Sequence, residues 1–244
     1  MPDLSGQSAL VTGGSRGIGL AIADALLAAG AGVAVTGRDQ SYLDEAGAQL
    51  RRKRPAAADR LQLVRADVRH AGDAAAAVKA AVERLGGLDI LVNNAGIGIF
   101  RNVAEMDELS WNDVIATNLS GVFLLCHAAI PHLRVRGGWI INISSLAGKN
   151  PFAGGAAYCA SKAGLNAFSE ALMHEVRHDN IRVSCVMPGS VATGFSGGTS
   201  PGGPADVWKL SPEDVAEVVV DLLAHPARSL PSRVELRPSR PPKR

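Results

Sequence analysis

TGGSRGIG, at residues 12–19, lies between an apolar run, Ser8–Thr12, and an alanine-rich stretch, Ile18–Ala29. Glycines at a strand-to-helix turn let the backbone approach a pyrophosphate, and the free N–H groups at the start of the helix bind the anion. Alone, such a turn is a weak signal that fits a tight turn without a ligand, but its place at the start of a βαβ unit favours a dinucleotide. The residues that we predict to bind the dinucleotide are Gly13, Ser15, Arg16, Gly17, Ile18 and Gly19.

Apolar runs without polar alternation recur along the chain, and they are typical of strands covered on both faces. The predicted strands are Ser8–Thr12, Gly32–Thr36, Leu61–Val64, Leu88–Val92, Trp139–Ile143, Ile181–Val186 and a short Arg233–Leu236. The predicted helices are Ile18–Ala29, Ser41–Arg54, Gly72–Leu85, Ser110–Leu133, Ala157–Asp179 and one that begins at Ser211. This alternation predicts the α/β class, as a single Rossmann-type doubly wound parallel sheet of about seven strands with helices on both faces.

One domain is predicted, because no linker or repeat divides the chain. Residues 1–236 are expected to form a single dinucleotide-binding and catalytic domain. Residues 237–244 form a basic, proline-rich tail that we expect to be poorly ordered. The glycine- and serine-rich segment Gly194–Pro204 is expected to be a mobile loop.

Composition limits the partners and the compartment. A formal net charge of +2 over 244 residues does not favour nucleic acid. Three widely spaced cysteines predict neither a disulfide framework nor a zinc site, so no metal is expected and a reducing, cytoplasmic location fits best. The longest uncharged run, Val114–Leu133, is long enough to span a bilayer, but it contains Asn118, His127 and Pro131, so a buried helix and no membrane are predicted. The first residues lack the pattern of a secretory signal.

Charge after the second predicted strand indicates which dinucleotide is preferred. A carboxylate there would bind the ribose 2′-hydroxyl of NAD, whereas an arginine accommodates the 2′-phosphate of NADP. The end of this strand reads Val35-Thr36-Gly37-Arg38-Asp39, with no carboxylate between Val35 and Arg38, and Arg16 lies inside the glycine turn. Two guanidinium groups favour NADP, with NAD the weaker candidate, unless Arg38 only pairs with Asp39 or solvent.

Tyr158 and Lys162 lie four residues apart near the start of a predicted helix, so both side chains share one face. Tyrosine titrates near ~10, and lowering its pKa to neutrality requires about 4 kcal/mol of preferential phenolate stabilisation. One nearby ammonium supplies about that much at an effective dielectric of ~20. Such a pair alone is common on helices, however, so a chance pairing is the default interpretation until further motifs are considered.

Further motifs accompany this pair in a fixed order along the chain. They are TGGSRGIG, Asp67-Val68, the sequence NNAG at 93–96, Asn118, Ser145, Tyr158, Lys162 and Pro188–Thr193. With these motifs at these spacings, the sequence resembles the short-chain dehydrogenase/reductase family over nearly its whole length. The resemblance implies an oxidoreductase that uses NAD or NADP.

The resemblance also implies roles for the residues of the motifs. Tyr158 would donate or accept the alcohol proton, and Ser145 would hydrogen-bond the substrate oxygen. Lys162 would bind the nicotinamide ribose and lower the pKa of Tyr158. Asn118 would hold a water that relays protons past Lys162, and Asp67 would accept a hydrogen bond from the adenine amino group. The remaining cofactor contacts that it implies are Val68, Asn94, Ala95, Gly96, Pro188, Gly189, Val191 and Thr193.

Three functions remain open at this point. The first is reduction of a carbonyl to a secondary alcohol, or the reverse. The second is a 3-oxoacyl-acyl-carrier-protein reductase, in which two surface arginines grip an acidic carrier; Arg136 falls at one matching place and Asp179 at the other, with Arg177 and Arg182 nearby. The third is a non-catalytic NADP-binding sensor or regulatory module, which an intact Asn-Ser-Tyr-Lys set argues against.

Three loops are expected to determine substrate choice, and two helices are expected to form the contacts between subunits. The loops are Ala147–Gly155, Ile97–Arg101 and Ser190–Pro204, with Phe100, Phe152, Phe195 and Trp208 as apolar lining. The helices Ser110–Leu133 and Ala157–Asp179 carry more apolar surface than a monomer would leave exposed, so a homo-oligomer, a dimer or tetramer, is expected.

Overall fold

Seven parallel strands form one sheet in the computed structural model, which describes residues 2–195 and 206–242. The strand order is β3-β2-β1-β4-β5-β6-β7. Their bounds are Ser8–Val11 (β1), Gly32–Gly37 (β2), Leu61–Arg65 (β3), Ile90–Asn93 (β4), Gly138–Ile143 (β5), Ile181–Pro188 (β6) and Arg233–Leu236 (β7). The predicted doubly wound parallel sheet is confirmed.

Helices cover both faces of this sheet. Their bounds are Gly17–Ala28 (α1), Gln40–Lys53 (α2), Ala71–Leu85 (α3), Glu108–Ile115 (α4), Gly121–Leu133 (α5), Ala156–Val176 (α6) and Pro212–Leu223 (α7). The prediction of one regular helix over Ser110–Leu133 is wrong in detail, because a π-helical turn, Ala116–Ser120, separates α4 from α5. The helix predicted to reach Asp179 ends at Val176 and continues as a 3-10 turn.

Side-chain caps define where two of the helices begin. The Asp39 carboxylate accepts hydrogen bonds from the backbone N–H groups of Ser41 and Tyr42 at the start of α2. Ser211 and Asp214 form a reciprocal capping box at the start of α7, where Pro212 takes the first helical position. These caps satisfy N–H groups that have no partner inside the helix.

The core divides into two clusters, one on each face of the sheet, because successive side chains of a strand point to opposite faces. In β1, Ala9 and Val11 join the cluster that includes α1 and α7, while Leu10 joins the cluster that includes α3, α5 and α6. All four β1 residues are buried, which explains why the strand is apolar without alternation.

The continuous helical segment Glu108–Leu133 is long and apolar enough to cross a membrane by length and composition alone. In this structure Val122, Leu125 and Leu133 of α5 are buried in the core beneath the sheet. The other face carries exposed apolar groups, with Phe123 50% exposed. The segment is therefore a core helix of the α/β domain with one apolar face left uncovered.

The sheet order reverses direction between β1 and β4, since the chain builds outward from β1 to β3 and then returns to the other side. The carboxyl ends of the strands bordering such a switch point open a crevice in which ligands bind. The loops after β1, β4, β5 and β6 all meet at this edge. It is therefore the place where the glycine turn, NNAG, Ser145 and Pro188 come together.

Two regions singled out in the sequence are only partly described. Of the predicted mobile loop Gly194–Pro204, residues 196–204 lie outside the described residues, whereas Phe195 lies within them. In the tail, Arg237 forms an ion pair with Glu235, which also pairs with Lys149 on the loop after β5. The start of the tail therefore lies against the loop that follows β5.

Candidate active site

The glycine turn is packed too closely for side chains at three of its positions, Gly13, Gly14 and Gly19. Gly13 has φ +60°, and a Cβ there would lie 2.7 Å from the Ala95 Cα. A Cβ on Gly19 would lie 2.4 Å from the carbonyl oxygen of Gly13. The turn is therefore pressed against NNAG by contacts that only glycine permits.

Polar contacts attach the same turn to NNAG. The Thr12 hydroxyl accepts from the backbone N–H groups of Asn94 at 3.0 Å and Ala95 at 3.1 Å. The Asn94 side chain donates to the carbonyl oxygens of Thr12 and Gly13, both at 3.0 Å. The Asn94 amide thus holds the glycine turn in place, a role that was not predicted from the sequence.

The start of α1 offers donors to an anion. Arg16 is the N-cap, and its side chain has no oxygen that could accept from the first-turn N–H groups. Thr193, from the loop after β6, lies close to this turn, because a Cβ on Gly17 would lie 3.3 Å from the Thr193 Cγ2. The turn, the helix end and Thr193 together form the kind of cradle that holds a pyrophosphate.

Two arginines flank the place where an adenosine ribose would lie. Arg16 and Arg38 are both exposed, and the Arg16 guanidinium lies 5.4 Å from the centroid of the Tyr42 ring. The Asp39 carboxylate caps α2, and among the described residues it forms no ion pair with Arg38. Both guanidinium groups therefore remain directed to solvent, where the donor set fits a phosphate dianion.

Asp67 is held by a neighbouring cation. Its carboxylate forms an ion pair with Arg69 at 2.6 Å, and Arg69 also reaches Asp113 at 2.6 Å. The hydrogen bonds from Arg69 lower the pKa of Asp67 below its ordinary value and outweigh the opposing effect of burial. The carboxylate is therefore ionised at neutral pH, and Val68 beside it is buried against Gly121.

Ser145 and Tyr158 meet at the mouth of the crevice. Ser145 follows β5, its hydroxyl accepts from the backbone N–H of Ala147 at 3.1 Å, and it lies close enough to the Tyr158 phenol to lower the pKa of that group. Tyr158 lies in the first turn of α6, one turn before Lys162. Two hydroxyl groups thus converge where a substrate oxygen would be bound.

The prediction that Lys162 lowers the pKa of Tyr158 is wrong for this structure. Burial raises the pKa of the phenol above its ordinary value, and the nearby Ser145 hydroxyl opposes that rise only in part. The Lys162 Nζ lies 5.9 Å from the centroid of the Tyr158 ring and donates to the carbonyl oxygen of Ile143 at 2.9 Å. The ammonium is thus directed past the phenol, which stays protonated at neutral pH.

Lys162 is itself strongly perturbed. Its side chain is 4% exposed, and burial lowers its pKa to about 8. A Cβ on Gly96 would lie 3.7 Å from the Lys162 Nζ, so the ammonium lies directly beneath NNAG. A buried lysine in a crevice is typical of a functional site, because burial of a charged ammonium costs free energy and so does not stabilise the fold by itself.

The Asn118 side chain is fully engaged by protein groups. Its Oδ1 accepts from the Ile97 N–H at 2.8 Å, and its Nδ2 donates to the Ile97 carbonyl at 2.9 Å and to the Ser161 hydroxyl at 3.0 Å. It lies in the π-helical turn, a feature frequent at functional sites. The side chain therefore positions the loop after NNAG, and a water held there would have to use other groups.

A buried polar network lies beneath the site. It is formed by residues for which no functional role was predicted from the sequence. The Asn93 amide donates to Asn142 at 2.8 Å, and the Asn142 amide donates to the Ser169 hydroxyl at 2.9 Å. Ser144 donates to Asn166 at 2.6 Å. The sequence signal that could have revealed this network is the presence of polar residues inside otherwise apolar strands. These bonds fix α6 against β4 and β5, and so fix Tyr158 and Lys162.

The segment 188–193 completes the crevice on the side of β6. The Gly189 N–H donates to the Leu236 carbonyl at 2.8 Å, and Val191 forms an isolated bridge with Leu210. Pro188, Gly189, Val191 and Thr193 therefore lie along the same edge as Ser145. Within residues 2–195 and 206–242, no cluster of three His, Cys, Asp or Glu side chains could hold a metal ion.

The fold and the site together define an oxidoreductase of the dinucleotide-binding α/β class. The family model described as short chain dehydrogenase matches residues 7–202. The chain belongs to the short-chain dehydrogenase family, whose members act on CH–OH or C=O groups.

Individual relatives agree with this assignment. The chain is 36% identical over 227 residues to a 3-oxoacyl-(acyl-carrier-protein) reductase of Chlamydia pneumoniae, covering 90% of each chain. It is similar to an alcohol dehydrogenase from the archaeon Thermococcus sibiricus complexed with 5-hydroxy-NADP, with a TM-score of 0.88, 30% identity and coverage of 98% and 99%. It is also similar to a metagenomic short-chain oxidoreductase in complex with NADP, with a TM-score of 0.83, 40% identity and coverage of 97% and 99%.

Proposed function

We propose that this protein reduces the carbonyl group of a small molecule to a secondary alcohol with NADPH, and catalyses the reverse reaction when the alcohol is supplied. The observation that carries the proposal is the placement of the Ser145 hydroxyl beside the Tyr158 phenol at the edge where the glycine turn lies. Two hydroxyl donors aimed at one point stabilise an oxygen that gains negative charge in the transition state.

NADP is the cofactor of this proposal because the residues present fit its groups. The glycine turn and the start of α1 would hold the pyrophosphate, and Arg16 and Arg38 would hold the 2′-phosphate. Two of the solved structures similar to this chain contain NADP or 5-hydroxy-NADP. When bound, NADPH supplies the hydride. Asp67, Val68, Ala95, Gly96, Pro188 and Val191 remain proposed contacts.

The protein groups supply the proton and the orientation. As the carbonyl carbon accepts hydride, the Tyr158 phenol gives its proton to the carbonyl oxygen, so one carbonyl, one NADPH and one proton yield one alcohol and one NADP⁺. Ser145 orients that oxygen by donating a hydrogen bond. Lys162 lies one turn deeper, where its ammonium would bind the nicotinamide ribose. Asn118 positions the Ile97 loop beside them.

A carrier-bound 3-oxoacyl thioester is a second candidate substrate, favoured by the 36% identity to the reductase of Chlamydia pneumoniae. The surface arginines give this candidate less support. Arg136 forms an ion pair with Asp89 at 3.3 Å, and Asp179 pairs with Arg134 at 2.7 Å. Arg182 stacks on Trp139, 4.1 Å from the ring centroid. Each of these arginines already has a partner within its own chain.

The test is NADPH oxidation, followed by absorbance, with diketones, aldehydes and an acetoacetyl thioester. We expect turnover that falls about 10²- to 10⁴-fold in Tyr158→Phe, because the variant keeps the ring and loses the transferable proton. NADPH binding by Tyr158→Phe should stay unchanged. Binding of NADPH without turnover of any carbonyl would instead favour a sensor or regulatory module.

Assembly and location form part of this proposal. Leu109, Trp111 and Phe123 expose apolar surface along α4 and α5, and pairing two such faces across a two-fold axis would cover it. We expect a homodimer or tetramer by light scattering at micromolar concentration, and a monomer would contradict this expectation. The cytoplasm is the proposed compartment, since its supply of NADPH and reducing conditions suit the three unpaired cysteines.

A further inference from the structure

Two phenylalanine rings lie against the ring of Tyr158, and a third phenylalanine packs against one of them. The Phe100 ring lies edge-on to Tyr158, with centroids 5.6 Å apart and an interplanar angle of 81°. The Phe195 ring lies 5.8 Å from Tyr158 at 59°, and the Phe152 ring lies 5.7 Å from Phe100 at 56°. We call Phe100, Phe152 and Phe195 the aromatic enclosure.

The enclosure is built from separate parts of the chain. Phe100 follows β4, Phe152 follows β5 and Phe195 follows β6, so three loops contribute to a cluster that lies beside Tyr158. Phe100 and Phe195 approach closely over Gly98, where a Cβ would lie 2.9 Å from the Phe100 Cζ and 2.8 Å from the Phe195 Cε1. A side chain at residue 98 would push these two rings apart.

Each ring of the enclosure is left open on one side. Phe100 and Phe195 are 41% exposed and Phe152 is 47% exposed. Grouped apolar rings in contact with water beside a polar hydroxyl pair are the usual composition of a ligand pocket, because a bound molecule covers the rings and bonds the polar groups. The polar pair here is Ser145 and Tyr158.

The charges nearest to the enclosure along the chain are already neutralised. Arg101 forms an ion pair with Asp107 at 2.9 Å, and Lys149 forms one with Glu235. Arg101 and Lys149, the charged side chains of the loops that carry Phe100 and Phe152, therefore offer no unpaired cation to a substrate carboxylate or phosphate.

We propose that the aromatic enclosure selects uncharged ketones that carry an aryl group directly on the carbonyl carbon. This inference rests on the proposed function, because it identifies the substrate class of the same site. The carbonyl oxygen would meet Ser145 and Tyr158 while the aryl ring packs against Phe100, Phe152 and Phe195. Offset and edge-to-face contacts between aromatic rings stabilise beyond the area they bury, so a flat ring gains more here than an alkyl group of equal size.

The test compares acetophenone with cyclohexyl methyl ketone, which have the same number of heavy atoms. The ratio of their kcat/KM values is measured in the wild type and in Phe100→Leu, Phe152→Leu and Phe195→Leu. Intrinsic reactivity cancels when ratios are compared between variants. We expect each substitution to lower the aryl preference about 2- to 12-fold, the range of a single aromatic pair.

Phe123→Leu is the matched control, because Phe123 is 50% exposed on α5 and its ring lies against His127, away from the enclosure. It should leave the ratio unchanged. NADPH affinity and far-ultraviolet circular dichroism should be the same in all variants, which separates substrate selection from cofactor binding and folding.

The outcomes separate this inference from the proposed function. A ratio unaffected by the three substitutions, or an equal loss on both ketones, overturns the selection of aryl groups. Turnover of an acetoacetyl thioester without turnover of either ketone also overturns it while leaving carbonyl reduction intact. Failure with every carbonyl tested would overturn the proposed function itself.

Discussion

Asn118 donates from its side-chain amide to the Ser161 hydroxyl at 3.0 Å and so ties the π-helical turn to the helix that carries Tyr158 and Lys162. Ser161 in turn donates to the Tyr158 carbonyl at 2.7 Å. One buried amide therefore joins the loop after NNAG, the helical segment interrupted by the π-helical turn, and the start of α6. The geometry of the site depends on a side chain that need not touch the substrate.

Asn118→Ala tests this dependence. The variant leaves the Ile97 N–H, the Ile97 carbonyl and the Ser161 hydroxyl without their partner, so we expect it to lower the free energy of unfolding by about 2–4 kcal/mol. Urea denaturation measures the change, and KM for the carbonyl should rise as well. Asn112→Ala, at an exposed position of α4, is the control. Equal stability of the two variants would show that the Asn118 bonds contribute little.

The raised pKa of Tyr158 predicts how the two directions of the reaction respond to pH. A protonated phenol is the acid that reduction requires, so kcat/KM for reduction should stay constant through neutral pH and fall only in the alkaline range. Alcohol oxidation requires the phenolate and should rise over the same alkaline range. Initial rates in both directions across pH provide the measurement. A reduction rate that already falls between pH 6 and 8 would contradict a raised pKa.

Arg38→Ala tests the choice between the two cofactors. Removing a guanidinium that binds the 2′-phosphate should raise KM for NADPH about 10- to 100-fold, the range of a hydrogen bond to a charged group. KM for NADH should change little, because NADH lacks that phosphate. Arg52→Ala, at the exposed end of α2, is the matched control. An equal effect on both cofactors would mean that Arg38 does not read the 2′-phosphate.

Lys162 predicts a pH dependence of stability in the protein without cofactor. Burial lowers its pKa from 10.5 to about 8, so between these values the unfolded chain holds the proton more tightly than the folded one. The charged lysine destabilises the fold fully below pH 8, and this penalty is relieved as pH rises to 10.5 by about 3 kcal/mol.

Lys162→Met is the comparison that isolates this residue. The stability difference between the variant and the wild type should favour the variant most below pH 8 and shrink toward pH 10.5. Denaturation curves over that range measure the difference. A difference that does not vary with pH would show that the folded protein does not perturb Lys162.

The sheet could be predicted from sequence because its signals are local. In β1 and β5, apolar residues on both faces predict burial on both faces, and the glycine turn marks the crossover that follows β1. The positions of Ser145 and Tyr158 follow from the same reasoning, since parallel strands bring their carboxyl ends to one edge.

Other features depend on contacts between distant residues. In the π-helical turn, Asn118 bonds Ile97, which lies 21 residues earlier in the chain. A contact between residues so far apart produces no periodic pattern in the sequence. The pKa of Tyr158 could not be obtained from its spacing to Lys162, because that reasoning included the charge and omitted the burial of both groups. The contact of Asn94 with the cofactor stays a prediction, whereas the bonds of its amide to the glycine turn were not predicted.

The Asp39 carboxylate that starts α2 has a practical consequence for redesigning coenzyme preference. Because this carboxylate is committed to the backbone of Ser41 and Tyr42, residue 38 can be exchanged without disturbing the first turn of the helix. The proposed discrimination between the two nicotinamide coenzymes by residue 38 and the initiation of α2 by residue 39 thus depend on adjacent but independent positions. We therefore expect that substitution of residue 38 alters the coenzyme preference with little loss of fold stability.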